Sequence, residues 1–554
     1  MPSPGGTRRG SFVRLAGIKS VAAHDSGPCE NAALSQSVAE DRPPLLCSRK
    51  DRPMTRDYLK RILKARVYDV AIESPLSEAA ALSRRLGRRI LLKREDMQPV
   101  FSFKLRGAYN KIAGLDPAER AQGVLTASAG NHAQGVALAA QRLGIRAVIV
   151  MPVMAPSIKV EAVRARGAEV VLAGDNYDAA YAHARHLSEA QGLPFIHPYD
   201  DPDVIAGQGT IGMEILKQHP SDIEAIFVPV GGGGLIAGIA LYVKSLRPEI
   251  RIVGVEPADA DALARSLIAG NRVLLDHVGT FADGVAVRQV GREPFRIARR
   301  LVDEVLVVSN DAICAAIKDI FEDTRSIVEP SGALAVAGLK AYALTHPGDR
   351  PLIAIASGAN MNFDRLRHVA ERAEIGERRE VLFAATIPEV PGSFRQFCSL
   401  IGDRNISEFN YRYAGPTLAH VFVGIQVGEG DDAHDLFTAL ARAGYDILDL
   451  TDNEMAKLHV RHLVGGRCPV NDEIVYRFEF PDRPGALMAF LNAMGRAWNI
   501  SLFHYRNHGA DYGRVLIGMQ VPPSERKKLP AFLEALGMDY EEETGNPAYQ
   551  LFLR

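Results

Sequence analysis

The chain reads as an α/β protein built on a mainly parallel sheet and followed by a duplicated α+β tail. Between Leu76 and Leu246 short apolar runs alternate with amphipathic stretches, and alternating βα units imply a parallel sheet covered by helices on both faces. Beyond about residue 380 the chain instead repeats itself, which marks a duplicated structural unit. Three of the apolar runs end in polar or glycine-rich turns: GVLTA before Ser128 to His132, AIFVPV before Gly231 to Gly234, and PLIAIA before Ser357 to Asn360. Ligands in open α/β sheets bind outside the carboxyl ends of the strands, so these turns are expected to converge on one crevice.

Residues 1–53 are rich in Pro, Gly, Ser and Arg and lack a sustained hydrophobic period, so they are expected to be disordered. Met54 opens MTRDYLKRIL, the first amphipathic helix, and an over-long start is the plainer account of what precedes it, with an organelle transit segment as the alternative. From there the pattern predicts a helix over SEAAALSRRLG, a strand at RILLK, a helix around Lys104, then GVLTA, a helix from His132, RAVIVM, EVVLA, AIFVPV, a helix from Leu235 and RIVGVE. In the tail, Ile387 to Arg412 aligns with Phe480 to Arg506, and HVFVGIQV with RVLIGMQV. Each copy reads strand, helix, strand, strand, helix, strand.

Composition narrows the function. At 554 residues, 47% hydrophobic and 24% charged, the chain has material for several domains. A net charge of -1 carries no footprint for nucleic acid or an anionic membrane, and no uncharged apolar run approaches the roughly 18 residues that span a bilayer. Five scattered cysteines, none in a CxxC pair, point to a reducing, cytoplasmic setting without disulfides or structural zinc.

The chemistry centres on EDMQPVFSFKLRGAYN, which sets Lys104 among Phe101, Phe103 and Leu105. Desolvation lowers a lysine's pKa, and the free amine can then form a Schiff base with a carbonyl. Alone, Lys104 reads more readily as a surface lysine on an amphipathic helix. Gly231 to Gly234 stand between a strand and a helix beginning near Leu235, where open backbone N–H groups and the helix dipole suit a phosphate. Ser128 and Asn131 also read as plain N-caps.

Taken in order, SFKLRGA, SAGNHAQG, GGGGL and SGAN resemble the fold type II pyridoxal-phosphate enzymes, and within them the biosynthetic threonine dehydratases. The resemblance runs from about Met54 to the C-terminus. It implies a two-lobed catalytic domain over 54–375 (small lobe about 95–190) and two ACT-like βαββαβ modules over 380–458 and 474–554. It implies pyridoxal 5'-phosphate on Lys104, which then serves as the base. Gly231, Gly232, Gly233, Gly234 and Leu235 would hold the phosphate, Ser357 would face the ring nitrogen, Asn131 the ring hydroxyl, and Phe103 the ring. Ser128, Gly130, Asn131 and His132 would receive the substrate carboxylate, with His132 a structural donor rather than a catalyst, and Glu329 would lie near the cofactor. The implied reaction converts L-threonine, or L-serine, to the 2-oxo acid and ammonia. For threonine this yields 2-oxobutanoate, the first step of isoleucine biosynthesis. Isoleucine would be the inhibitor and valine the activator of a homotetramer.

Rival readings are specific. Gly232-x-Gly234-x-x-Ala237 with Glu256 about 20 residues on fits the dinucleotide fingerprint of a nicotinamide-dependent dehydrogenase. Serine racemase, within the family, carries a second serine where this chain has Ala129, and a metal ligand where it has Ala262, so no metal is expected. L-Serine dehydratase and a catalytically dead amino-acid sensor complete the set.

Overall fold

The computed structural model describes residues 52–553, apart from 154, 156, 364, 378, 414, 429–431, 454–455, 458–459, 463–467, 469, 482–485, 495–496, 507–511, 539, 547–548 and 551–552. The expected extension 1–53 lies almost wholly outside the described residues. The first helix runs Arg52–Leu63, over the amphipathic stretch read from the sequence.

Nine strands build the first part: β1 (Leu76–Glu78), β2 (Ile90–Arg94), β3 (Val124–Ala127), β4 (Ala147–Met151), β5 (Glu169–Leu172), β6 (Ala225–Pro229), β7 (Arg251–Pro257), β8 (Glu304–Val308) and β9 (Leu352–Ala356). Six form one sheet in the order β1-β2-β9-β6-β7-β8, and β3-β4-β5 form a second. All pairings are parallel except the β1 edge, which runs antiparallel to β2. Every residue of β2, β6 and β9 is buried, as expected of central strands covered on both faces. Two apolar clusters, one on each face of the large sheet, supply that cover. SEAAALSRRLG is not helical throughout: Ser77 and Glu78 pair with β2, and the helix spans only Ala80–Leu86. Periodicity could not reveal this, because three residues are too few to show a period of two.

The helices pack through glycines. A Cβ on Gly107, in the helix Lys104–Ala113, would stand 2.7 Å from Val204 O, and one on Gly207 would stand 2.7 Å from Gly107 Cα. Gly135 faces Leu105 Cα at 3.1 Å, and Gly238 faces Gly209 N at 2.6 Å on the same measure. The helices Asn131–Leu143, Lys104–Ala113, Pro202–Gln218 and Gly234–Leu246 therefore touch in series, backbone to backbone.

The tail forms one eight-stranded antiparallel sheet from β10 (Glu380–Pro388), β11 (Ile406–Arg412), β12 (Leu418–Gln426), β13 (Asp446–Asp449), β14 (Glu473–Pro481), β15 (Asn499–Arg506), β16 (Tyr512–Gln520) and β17 (Tyr540–Glu542), ordered β13-β10-β12-β11-β15-β16-β14-β17. Each half is a βαββαβ unit, as the repeat predicts. The halves join by pairing β11 with β15, from Glu408↔Arg506 to Arg412↔Leu502. The duplication extends to a bulge at Ser407 and at Ser501. Each of these hydroxyls donates to a buried carboxylate, Glu380 or Glu473, beneath a glycine, Gly424 or Gly518, whose Cβ would collide with it.

Candidate active site

β6 and β9 are neighbours in the large sheet and β3 edges the small one, and their turns meet the start of the helix Lys104–Ala113 at one cleft. Phe103, Lys104, Asn131, Gly231, Gly232, Gly233, Gly234, Leu235, Glu329 and Ser357 all line it. Ser128 and Gly130 precede Asn131 on the turn, His132 follows it in the helix, and none of the three lines the cleft.

Lys104 is the first residue of its helix, where the positive end of the dipole opposes a further positive charge. Burial pushes its amine down to about 8, partly countered by Glu329. Among the described residues the amine has no hydrogen-bond or ion-pair partner. Its one polar contact is with the Phe103 ring, whose centroid lies 5.1 Å from Nζ. The backbone before it is strained: Phe101 has φ 54, in the left-handed region that a bulky residue rarely enters.

Across the cleft, Gly233 has φ 88 and caps the helix Gly234–Leu246. A Cβ on Gly232 would lie 2.2 Å from the Tyr199 ring, so only glycine fits this turn. The unhindered N–H groups at the start of a buried helix form an anion cradle. An amine without a partner facing an anion cradle fits pyridoxal phosphate, which carries an aldehyde at one end and a phosphate at the other.

Asn131 bridges two other elements. Its Nδ2 donates to Glu329 Oε1 at 2.5 Å, and its Oδ1 accepts from Asn360 Nδ2 at 2.7 Å. It is therefore not an N-cap; Gly130 holds that position without a side-chain bond. Burial, reinforced by Asp283, pushes Glu329 up to about 7. Ser357 Oγ donates to Ser331 O at 3.1 Å, and Ser128 Oγ accepts from Gly130 N at 3.2 Å. His132 is buried with Nε2 donating to Ile196 O at 3.0 Å, and desolvation drops its pKa to about 3. It is a neutral structural donor there.

Sequence reasoning missed a buried ionic network two residues beyond Lys104. Arg106 is fully buried and donates to both oxygens of Glu95 and both of Glu214 at 2.6 to 3.0 Å. Lys93, also fully buried, pairs with Glu214 at 2.6 Å. Among the cleft residues missed, Tyr199, Gln208 and Ser331 belong to none of the three strand-end turns read from the sequence.

The dinucleotide reading fails at Glu256. That carboxylate is fully buried and accepts from Leu263 N at 2.9 Å and Ala264 N at 2.8 Å, capping the next helix, so it has nothing left for a ribose. Among the described residues there is no cluster of three or more groups able to hold a metal ion, and no helix is long and apolar enough to cross a membrane.

A family model described as "Pyridoxal-phosphate dependent enzyme" matches residues 67–358, and one described as "C-terminal regulatory domain of Threonine dehydratase" matches 371–460 and 464–553. The biosynthetic L-threonine dehydratase of Burkholderia multivorans is 58% identical over 90% of this chain and 99% of its own. The Escherichia coli protein of that name is 51% identical over 90% and 98%. The processed form of threonine deaminase isoform 2 from Solanum lycopersicum superposes with a TM-score of 0.58 at 51% identity, covering 62% of this chain and 92% of that one. Maize serine racemase does so with 0.54 at 35%, covering 57% and 96%.

Proposed function

The chain belongs to the fold type II pyridoxal-phosphate-dependent enzymes and, within them, to the biosynthetic threonine dehydratases, and from that premise we propose how its cleft and its tail work. It is a lyase that converts L-threonine to 2-oxobutanoate and ammonia. Lys104 Nζ would hold the cofactor's aldehyde carbon, the N–H groups of Gly231 to Leu235 would hold its phosphate, Ser357 would face its ring nitrogen, Asn131 its ring hydroxyl, and Phe103 its ring. Bound pyridoxal phosphate supplies an electron sink for the pair left behind when an amino acid loses its α-proton.

The residues of the chain do the rest. The N–H groups of Ser128, Gly130, Asn131 and His132 receive the substrate carboxylate at the start of a helix. Lys104, once the substrate's own amine has displaced it from the cofactor, is a neutral amine for much of its population near pH 8 and takes the α-proton onto Nζ. The β-hydroxyl departs as water, and hydrolysis of the released enamine returns that water to give the oxo acid and ammonia. The observation that carries this reading is the unpartnered, desolvated amine facing the Gly233 cradle.

The tail is assigned to regulation, with modules over 380–458 and 474–554 and a catalytic region over 54–375. A pocket lies between the modules, lined by Phe394, Tyr411, Leu491, Met494 and Trp498 together with Arg395 and Glu389. Apolar walls with one cation and one anion suit a branched amino acid. Glu389 already ties the modules together, accepting from Tyr411 Oη at 2.6 Å and Asn499 Nδ2 at 3.0 Å. Isoleucine as inhibitor and valine as activator, a homotetramer and a cytoplasmic setting complete the proposal.

The test is 2-oxobutanoate formation from threonine by the purified chain, with and without isoleucine. Turnover suppressed by isoleucine is expected. Absent turnover sinks the catalytic reading, and turnover indifferent to isoleucine sinks the regulatory one.

A further inference from the structure

Lys104 enters proton transfer as an amine and leaves it as an ammonium, with three N–H donors in a desolvated cleft. Glu329 is the anion that acts on it, but Glu329 Oε1 is already engaged by Asn131. Another acceptor lines the same cleft. Gln208 is 1% exposed, and its Oε1 is buried with no hydrogen-bond partner. An orphaned buried amide oxygen costs about 1 to 3 kcal/mol, so it marks a place where a donor is due.

The side chain has little freedom to look elsewhere. Its neighbours in the helix Pro202–Gln218 are both held backbone to backbone, Gly207 against Gly107 and Arg106 O, and Gly209 against Gly238 O. Gln208 Nε2 lies 2.5 Å from where a Cβ on Gly107 would stand. Gly107 follows Lys104 by three residues and so shares its face of the helix. Gln208 and Lys104 also line the same cleft, so the amide and the amine share one space.

We propose that Gln208 is a positioning residue for Lys104, its amide oxygen accepting a hydrogen bond from the lysine ammonium once the α-proton has been taken. This rests on Lys104 being the base. Other titratable groups face the amine. His132 and His197 are held by burial down to about 3 and about 4 and stay neutral across the working range. Glu329, pushed up to about 7, is common to every variant below. Beneath Gln208, Arg106 is neutralised by Glu95 and Glu214.

The experiment uses Gln208→Leu and the isosteric Gln208→Glu in the full chain. One readout is the pH dependence of Lys104 acylation by acetic anhydride in cofactor-stripped enzyme, followed by mass spectrometry. The other is the pH profile of kcat for threonine. Losing an acceptor from a charged donor should lower the Lys104 midpoint by roughly one to two units in Gln208→Leu and move the acid limb of kcat with it. Plateau kcat should fall about tenfold, with KM changed less than threefold. Gln208→Glu should move both midpoints upward. Midpoints unmoved in Gln208→Glu, or a fall in kcat at an unchanged profile, would overturn the inference. Turnover surviving Lys104→Ala would instead overturn the reading of Lys104 as the base.

Discussion

Replacing Gly207 by alanine adds one methyl group where the lysine-bearing helix crosses its neighbour. That methyl would stand 2.7 Å from Gly107 Cα, 2.8 Å from Arg106 O and 3.0 Å from Arg106 C. Carbon contacts settle near 3.5 Å, so the two helices must separate by about 0.8 Å. Each colliding atom is backbone, and no rotamer change relieves it. Overpacking of this kind costs about 1 to 3 kcal/mol. The catalytic cost should be larger, because Lys104 begins the displaced helix and a misplacement of about 1 Å costs on the order of 100-fold in rate. Gly212→Ala, five residues along the same helix, is the control: its nearest atoms, Ile239 O and Val243 Cγ2, are 3.3 Å away, and removing a helical glycine returns about 1 kcal/mol of helix propensity. Thermal midpoint, kcat for threonine and the visible absorbance of the bound cofactor should all fall in Gly207→Ala and hold in Gly212→Ala. Wild-type turnover in Gly207→Ala, or equal damage in Gly212→Ala, would refute the argument that backbone contact aims the lysine.

Arg106→Met should destabilise the catalytic region by about 3 to 5 kcal/mol, because Glu95 is then left buried without its cation and Glu214 keeps only Lys93; a loss below 1 kcal/mol in denaturant titration contradicts this. Capture of pyridoxal phosphate by cofactor-free enzyme requires neutral Lys104, so its rate should rise with pH and level off above about 8; a rate flat between pH 6 and 9 would mean that the amine is not the titrating group. Deleting residues 376–554 should leave threonine turnover that isoleucine no longer inhibits, and inhibition that survives the deletion would place the effector site outside the tail.

The features legible in the sequence were those written locally. The turns after β3, β6 and β9 each announce themselves within about ten residues, and the tail's duplication survives as matching periods of two. The ionic network was not legible, because Arg106 finds Glu95 11 residues away and Glu214 108 residues away. Lys93, inside an apolar strand, looked like an interruption of the core rather than half of a buried pair. The union of the modules through β11 and β15 was equally hidden, since an edge strand carries no mark of which edge it will meet. Gln208 lies mid-helix between two glycines that mark no strand end, and only the fold brings it to the cleft that Lys104 lines.

The helical glycines connect these observations. Gly107, Gly135, Gly207, Gly209, Gly212 and Gly238 all lie inside helices, where each costs about 0.8 to 1 kcal/mol relative to alanine, on the order of 5 kcal/mol together. A chain of ordinary side chains could have packed the same helices without that cost, but side chains exchange rotamers and leave the axes free to shift by fractions of an ångström. Backbone laid on backbone has no such freedom. The series runs from the SAGNH helix through the lysine helix to the helix after Gly233, so the amine, the SAGNH turn and the glycine turn are fixed to one another by contacts that cannot rotate away. A side chain wedged between two such seams, as Gln208 is between Gly207 and Gly209, inherits the same fixity, and its unpaired oxygen is held with it beside the cleft that Lys104 lines.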